Sequence, residues 1–520
     1  MMGARFLSRL PSLLSHPLGT GEARRILVSR FERREQVFMD TVCKAIFDNR
    51  GSPYLRLFRN AGCERGDFIR LVASEGIEGA LAIAFRAGVY LSVDEFKGRR
   101  DVVRGSLTFA TSPDHFRNPL ADFHLPVRSG GSRSSGTPVM IDLAFVRGCG
   151  VNASLVLEAR GGLDWLKATW ESPGAGARFR LLKYSSFGAP PSGWFSQLDP
   201  GDPSIDPIFR LSERAMYWGS LACGVRLPRP QYAPLDDPLP VVRWMRGTLD
   251  RGLVPHLFTF PSSALRMSEA AVQAGIDLAG AQLTLGGEPV THARLNGIAR
   301  SGAFASPRYG SMECGPIGYG CISPSADDDT HLQHDLHGLI HPREIDAGFP
   351  ADALFITALH PRSPFTFFNV SMGDRATLSM RECGCALQHL GWATHVSGIR
   401  SFEKLTAGGV TFFDTDVIRV LEEELPGLFG GSAGDYQLIE RESQDGAPAL
   451  TLVIHPRVGE LDDRKVIDSF LRAIGRDSPI TETMSMLWKK SSFVGVQRSA
   501  PIGTKAGKVL HLHSERQLAT

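Results

Sequence analysis

The sequence has no long apolar run, no block of charge of one sign and no internal repeat. No apolar stretch reaches about 18 residues, so a membrane span is not expected. The 57 Lys and Arg residues are balanced by 55 Asp and Glu residues, and without a basic block nucleic acid is not the expected partner. With 42% hydrophobic and 22% charged residues, the composition is that of a globular protein rather than a disordered or fibrous one.

Cysteine is also scarce, with eight residues in 520 and no secretory signal. We therefore expect reduced thiols rather than a disulfide framework. The first 30 residues contain several arginines and serines and no acid before Glu22, a pattern that superficially resembles an organelle transit peptide. An amphipathic first helix is the favoured interpretation, and we expect a cytoplasmic protein.

The chain is long enough for more than one domain. Apolar residues at helical spacing, such as Phe38, Val42 and Ile46, predict helices before residue 89. Strand-like runs such as "MIDLAFV" follow, then a proline-rich stretch at 185–240, and then alternating helix and strand patterns. This alternation predicts an α/β fold with mixed, mainly parallel sheets flanked by helices.

The composition changes near residue 400, and the last part predicts a small α+β domain with two helices and two strands. The expected division is an N-terminal extension at 1–30, a large domain at 31–399, a hinge at 400–402 and a small C-terminal domain at 403–520.

A loop of glycine and serine, "RSGGSRSSGTPV", joins two strand-like segments. The residues alone leave two interpretations open, a flexible linker or a phosphate cradle made of backbone N–H groups and hydroxyls. The residues concerned are Ser129, Gly130, Gly131, Ser132, Arg133, Ser134, Ser135 and Gly136.

Four short motifs follow the loop in the chain. They are "LGGEPVT" at a strand end, "RYGSMECG", "MGDRATL" and "PIGTKAGKVL" near the C-terminus. The third motif is expected to place Asp374 on a turn after the strand-like run "PFTFFNV". Each motif alone is typical of an ordinary surface turn, and only their order is informative.

A second pattern consists of thiols and imidazoles. Cys321, Cys383 and Cys385 could join one imidazole in the closed tetrahedral set that suits a structural Zn²⁺, and His331 is preferred over His334. The spacing is wider than that of a compact zinc finger, so buried free cysteines remain the alternative.

Taken in order, the loop, the GGE turn, the Tyr-Gly-x-x-Glu motif, the Gly-Asp-Arg motif, a hinge-side arginine and the terminal Gly-Lys resemble the adenylate-forming superfamily. The GGE and the Cys-x-Cys make the chain most similar to the phenylacetate-CoA ligase branch and to acyl-protein synthetases. The resemblance runs from about residue 40 to 515. It implies a large domain with a small mobile C-terminal domain, and that branch carries a similar Cys, His, Cys-x-Cys arrangement.

The resemblance implies that the loop cradles the β and γ phosphates of ATP. It also implies that Tyr309 stacks on adenine, that Ser311 binds a phosphate and that Glu313 supplies an oxygen to Mg²⁺. The other residues assigned to the nucleotide site are Gly287, Glu288 and Gly310.

Further roles follow from the C-terminal motifs. Asp374 matches the acid that binds both ribose hydroxyls, and Arg400 matches an arginine that reaches the ribose. Lys508 matches the lysine that bridges substrate carboxylate and α-phosphate, with Lys505 as the alternative. Gly409 matches the glycine that lets a pantetheine arm pass close to the backbone.

Two departures from the family pattern stand out. Arg133 and the adjacent serines replace a glycine and threonines of the loop, and the hinge has Phe402-Glu403 where the family has two aspartates. The first departure could alter nucleotide use, and the second could alter domain rotation between the two half-reactions.

The expected activity is formation of an acyl-adenylate from a carboxylic acid and MgATP with release of pyrophosphate, followed by transfer to CoA, a carrier-protein pantetheine or a protein thiol. Phe258 and Phe260 suggest an aryl or medium acyl group, and a homodimer is possible. Transfer to an amine, activation of an unusual oxyacid and a non-catalytic scaffold of the same fold are the alternatives.

Overall fold

The computed structural model describes residues 2–128, 137–171, 174–201, 207–342, 348–402, 405–407, 410–412, 414–442, 448–475, 494–504 and 507–514. Loop residues 129–136, together with Glu403, Gly409 and Lys505, lie outside the described residues. No helix within the described ranges is long and apolar enough to cross a membrane.

The helices in these ranges are α1 (Met2–Leu14), α2 (Thr20–Glu32), α3 (Arg34–Val42), α4 (Pro53–Asn60), α5 (Arg65–Arg86), α6 (Val93–Phe96), α7 (Leu143–Ala159), α8 (Ala175–Ser185), α9 (Pro207–Ala222), α10 (Leu239–Leu249), α11 (Pro261–Gln273), α12 (His292–Ala299), α13 (Ala386–His389), α14 (Asp414–Arg419), α15 (Leu425–Phe429) and α16 (Asp463–Gly475). Short π-helical segments at Cys43–Phe47 and Val420–Glu424 continue α3 and α14.

The strands are β1 (Val102–Arg104), β2 (Leu107–Phe109), β3 (Leu125–Arg128), β4 (Pro138–Ile141), β5 (Leu166–Glu171), β6 (Gly193–Ser196), β7 (Gln231–Tyr232), β8 (Pro255–Thr259), β9 (Gln282–Gly286), β10 (Phe304–Ser311), β11 (Gly315–Gly320), β12 (Thr330–Leu332), β13 (His337–Ile340), β14 (Ala353–Ala358), β15 (Val370–Met380), β16 (Thr394–Ser401), β17 (Leu405–Ala407), β18 (Val410–Phe412), β19 (Tyr436–Glu442), β20 (Pro448–Ile454), β21 (Val494–Arg498) and β22 (Leu512–Ser514).

Helices α1 to α5 occupy most of the chain before residue 89, as the apolar spacing predicts. Phe38, Val42 and Ile46 are buried in the largest core cluster. Helix α1 contributes Leu10 and Leu13 to the same core and contacts α7 and α9. An amphipathic first helix that packs on the protein is therefore what the structure shows.

A mixed sheet forms the centre of the fold, in the strand order β13-β14-β15-β16-β12-β11-β10-β9-β8-β5-β6-β7. Strands β7, β6, β5, β8, β9 and β10 pair in parallel, whereas the pairs from β10 to β13 are antiparallel. The α/β prediction is confirmed, but parallel pairing is confined to one half of the sheet. The reason is that helices of eight or more residues connect successive strands in the parallel half, whereas α13, with four residues, is the only helix between β10 and β16 among the described residues.

Both faces of the parallel half are covered by helices. Strand β8 is buried at every position, as expected when a strand is covered on both sides. Leu257 belongs to a core cluster with α10 and α11, and the neighbouring Phe258 faces the opposite side, where α8 packs against β5. This opposite side holds the candidate site.

Two local expectations from the sequence are wrong. The run "MIDLAFV" is the end of β4 and the start of α7, because Asp142 caps the helix by accepting a hydrogen bond from the Ala144 N–H at 2.8 Å. Asp374 lies inside β15 rather than on a turn, because β14 and β16 pair with β15 on both sides.

The C-terminal part has a separate four-stranded sheet, in the order β21-β20-β19-β22. Its own core includes Leu438, Leu452 and Phe470. The predicted helix, two strands and second helix are all present, and this part is a small α+β unit.

Candidate active site

The site lies at the carboxyl ends of β8, β9 and β10, where open α/β sheets commonly bind ligands. Gly287 follows β9 with φ of +85°, a conformation that favours glycine. A Cβ atom at this position would lie 3.1 Å from the ring of Phe260 and 3.4 Å from Cε of Lys508. Glycine is therefore required where the strand end meets Lys508.

Lys508 reaches this strand end from the C-terminal part. Its backbone pairs with Thr504, whose N–H donates to the Lys508 carbonyl at 2.7 Å. Its Nζ lies 5.6 Å from the centre of the Phe260 ring. Burial lowers the pKa of Lys508, while the charges of Glu288, Glu313 and Asp374 act in the opposite direction. The structure thus brings together four of the predicted residues that are distant in sequence.

Glu288 binds groups of the chain itself. Its Oε1 accepts hydrogen bonds from the Ser262 hydroxyl at 2.9 Å and from the Val509 N–H at 3.1 Å. Its Oε2 accepts from the Ser262 N–H at 3.0 Å and from Arg294 at 2.9 Å. Because Val509 follows Lys508, this carboxylate holds the C-terminal segment beside the strand ends.

Arg294 extends this contact into a buried ionic network. Its Nε lies 2.6 Å from Glu422, whose other oxygen accepts a hydrogen bond from Thr291. Nε2 of His511 lies 2.6 Å from Glu422. Burial acts to raise the pKa of Glu422, but the charges of Arg294 and His511 outweigh it and lower the pKa to about 2. Sequence reasoning missed this network because no local pattern links its members.

The Tyr-Gly-x-x-Glu motif lies on a bulged strand end. The pairing of β10 with β11 shifts between Tyr309 and Gly310, and a Cβ at Gly310 would lie 2.4 Å from the Gly315 carbonyl oxygen. The Ser311 hydroxyl lies 3.1 Å from Sγ of Cys314. Glu313 is only 4% exposed although it carries a carboxylate.

Asp374 and Arg400 lie on adjacent strands but have different partners. The Tyr309 hydroxyl donates to Oδ2 of Asp374 at 2.8 Å. Arg400 donates instead to Asp328 at 2.8 Å and to the Ile399 carbonyl at 2.7 Å. Asp374 is therefore part of the site around Lys508, whereas Arg400 is held by Asp328.

The predicted metal ligands lie together away from Lys508. The Nδ1 atom of His331 is 2.6 Å from the Trp392 carbonyl oxygen, and its Nε2 lies 3.7 Å from Sγ of Cys383 and 3.2 Å from Sγ of Cys385. Burial lowers the pKa of His331 to about 4, so the imidazole is neutral at pH 7. His334 lies elsewhere, 5.0 Å from the ring of Phe31.

A second histidine belongs to the same cluster. Donor atoms of Cys321, His331, Cys383 and His395 all lie within 4.8 Å of one another. His395 is the register partner of His331, and its Nδ1 lies 2.6 Å from Asp329. Its buried Nε2 has no hydrogen-bond partner in the described part of the chain. Pairing of β12 with β16 brings it there, which no spacing in the sequence indicates.

A small cavity lies on the side of the sheet that α8 covers. Its volume is about 20 Å³, which is room for about one water molecule. Its lining includes His256 and Thr284, on strands β8 and β9, together with Tyr184 and Tyr319. Nε2 of His256 lies 2.8 Å from the Thr284 hydroxyl.

Comparison with known proteins identifies the fold. A scan against protein-family models and a search of curated proteins both give no match. Among solved structures, 2-hydroxyisobutyryl-CoA ligase in the postadenylation state with 2-HIB-AMP is similar over 97% of this chain and 92% of its own, with a TM-score of 0.53 and 14% identity. The same ligase with R3-HIB-AMP gives a TM-score of 0.52 and 14% identity over 98% of this chain and 92% of its own.

These likenesses establish the architecture. The chain has the fold of adenylate-forming ligases, with the large mixed sheet followed by the smaller C-terminal sheet. The resemblance inferred from the order of the short motifs is thereby confirmed at the level of the fold.

Proposed function

We propose that this protein activates a carboxylic acid with ATP and then transfers the acyl group to a thiol. A carboxylate oxygen of the acid attacks the α-phosphorus, and the bond to pyrophosphate breaks. The thiol of CoA, a carrier-protein pantetheine or a protein cysteine then attacks the acyl carbon, and AMP leaves. An amine acceptor fits the first step equally well, so product analysis must separate the two.

The observation that carries this proposal is the position of Lys508. Two anions, the acid and the α-phosphate, must approach each other, so a positive charge between them lowers the barrier. Lys508 lies against Gly287 at the strand ends, with Glu313 and Asp374 close enough to affect its pKa. A lysine exposed on the surface would lie neither against Gly287 nor near the carboxylates of Glu313 and Asp374.

The nucleotide would lie across the same strand ends. We assign the adenine to Tyr309, the ribose to Asp374 and a magnesium-bound phosphate to Glu313, whose buried carboxylate fits a hard divalent cation. The loop at 129–136, which follows β3 and precedes β4 in the chain, is proposed to hold the outer phosphates. Arg400 would reach the ribose only after leaving Asp328.

The thiol and imidazole cluster fits a structural Zn²⁺. Cys321, His331 and Cys383 are common to both possible tetrahedral sets, and Cys385 or His395 completes the set. The Trp392 carbonyl orients His331, as expected for a metal-bound imidazole. Such an ion would join β11, β12 and β16 to the segment before α13.

The test is pyrophosphate release from MgATP across a panel of acids without any acceptor. Lys508→Ala should lower acid-dependent release by about 100-fold or more, the usual loss for one group that stabilises transition-state charge. Lys465→Ala, at an exposed lysine of α16, is the matched control and should change nothing. Lys505→Ala separates the two candidate lysines.

Two results would contradict the proposal. One is a wild-type protein that releases no pyrophosphate with any acid and binds no ATP by calorimetry, which favours a scaffold. The other is a Lys508→Ala protein with full activity. The homodimer and the cytoplasmic location expected from the sequence stay predictions.

A further inference from the structure

Three cationic side chains converge on the face of the sheet that carries the site. Arg180 and Lys183 lie one turn apart on α8, and Arg308 lies near the end of β10. The guanidinium carbons of Arg180 and Arg308 lie 3.6 and 5.8 Å from the centre of the Phe258 ring. Nζ of Lys183 lies 3.1 Å from the Tyr319 hydroxyl. The three cations therefore surround two aromatic rings.

One of these charges is neutralised, and two are not. Glu171 forms a bidentate ion pair with Arg180 and also accepts a hydrogen bond from Thr169. Among the described residues, no carboxylate lies within ion-pair distance of Arg308 or Lys183, and Nε of Arg308 is buried without a partner. Buried cations are normally paired with anions, so the surroundings of Arg308 and Lys183 carry an excess of positive charge.

The influences on the pKa of Lys183 agree with an excess of positive charge around it. Burial lowers the pKa of Lys183; the neighbouring Tyr319 raises it, and the positive charge of Arg308 lowers it again. An anion placed between the two cations would remove both the repulsion and the cost of burying an unpaired charge.

The cluster adjoins the place where an acid would react. Arg308 is the register partner of Gly286, and Gly286 precedes the glycine that lies against Lys508. A Cβ at Gly286 would lie 3.3 Å from the Phe258 ring. An acid with its carboxylate at Lys508 would therefore direct its acyl chain past Gly286 toward Phe258 and the cations.

We propose that the acid activated by this protein carries a second carboxylate, which binds between Arg308 and Lys183. This inference rests on the proposed function and names its substrate class. It replaces the aryl or medium acyl group expected from Phe258 and Phe260, because the guanidinium carbon of Arg180 lies 3.6 Å from the centre of the Phe258 ring and takes a face on which an apolar substrate would pack.

The test compares matched acids in the pyrophosphate assay: succinate with butyrate, and glutarate with pentanoate. The wild-type protein should prefer at least one diacid over its monoacid by about 100-fold or more in kcat/KM, because a site built for a charged group rejects an analogue that lacks it. Arg308→Met should remove this preference without changing KM for ATP. Arg308→Lys should restore part of it, and Arg300→Met, at an exposed arginine, is the control.

Each outcome is decisive. A wild-type preference for the monoacids overturns the inference. An Arg308→Met variant whose kcat/KM falls equally for both acids of a pair overturns it as well. A raised KM for ATP in that variant would assign the cations to nucleotide phosphates and overturn it as well. If Arg308→Met does not fold, the wild-type comparison of matched acids still decides. Absence of pyrophosphate release with every acid would instead refute the proposed function itself.

Discussion

Removal of Arg294 should weaken both the fold and the placement of Lys508. Arg294 is the only cation paired with Glu288 and Glu422 in the described part of the chain, apart from the imidazole of His511. The side chains of Arg294 and Glu288 are 3% exposed and that of Glu422 is not exposed. In Arg294→Met, both buried carboxylates would lose their guanidinium partner, and Glu422 would keep only His511 as an ion-pair partner.

The magnitude follows from these contacts. Removing one member of a buried ion pair costs about 3 to 5 kcal/mol, because the remaining charge stays desolvated. The pKa of Glu422 agrees in direction, since the charge of Arg294 is the largest of the influences that lower it to about 2 against the effect of burial. We therefore expect the free energy of unfolding to fall by about 3 to 5 kcal/mol at pH 7.

Urea unfolding followed by tryptophan fluorescence measures this loss, with Arg300→Met at the exposed end of the same helix as the control. The control should change stability by less than about 0.5 kcal/mol. Adding Glu422→Gln to Arg294→Met should recover part of the loss, because one buried charge is then removed. A loss below about 1 kcal/mol in Arg294→Met, or an equal loss in the control, would refute the assigned role of the network.

Three further predictions follow from the same site. Glu422 should stabilise the fold above about pH 4.5, with the contribution lost as the pH falls toward 2, so Glu422→Gln should flatten acid unfolding curves over this window. Gly287→Ala should lower the rate of pyrophosphate release about tenfold or more, because the added methyl group meets Phe260 and Lys508. Purified protein should contain one zinc by elemental analysis, and Cys383→Ser should lose it while Cys223→Ser keeps it.

The sequence predicted what depends on local patterns. The order of glycine turns and short motifs predicted the fold, because each turn has to follow a particular strand. Lys508, Gly287 and Asp374 come together as the ordered motifs imply, although they lie far apart in the chain. The cluster of Cys321, His331 and Cys383 was likewise predicted from residue types, because thiolates and imidazoles are the usual ligands of Zn²⁺.

The sequence could not predict what depends on pairing between distant strands. His395 joins the cluster of thiols and imidazoles only because β12 pairs with β16. Asp374 lies within a strand because two neighbours supply backbone partners, which its Gly-Asp-Arg motif does not indicate. The excess of positive charge at Lys183 and Arg308 appears only when α8 is packed against the sheet, since the two residues are distant in sequence.

Transfer of oxygen from the acid to AMP would show directly whether the carboxylate attacks the α-phosphorus of ATP. An acid labelled with ¹⁸O in its carboxylate would be incubated with MgATP and the acceptor, and the AMP analysed by mass spectrometry. If the acid attacks the α-phosphorus, one labelled oxygen remains on AMP when the acceptor takes the acyl group. We expect singly labelled AMP together with pyrophosphate. Label in inorganic phosphate beside ADP, or AMP without label, would contradict it.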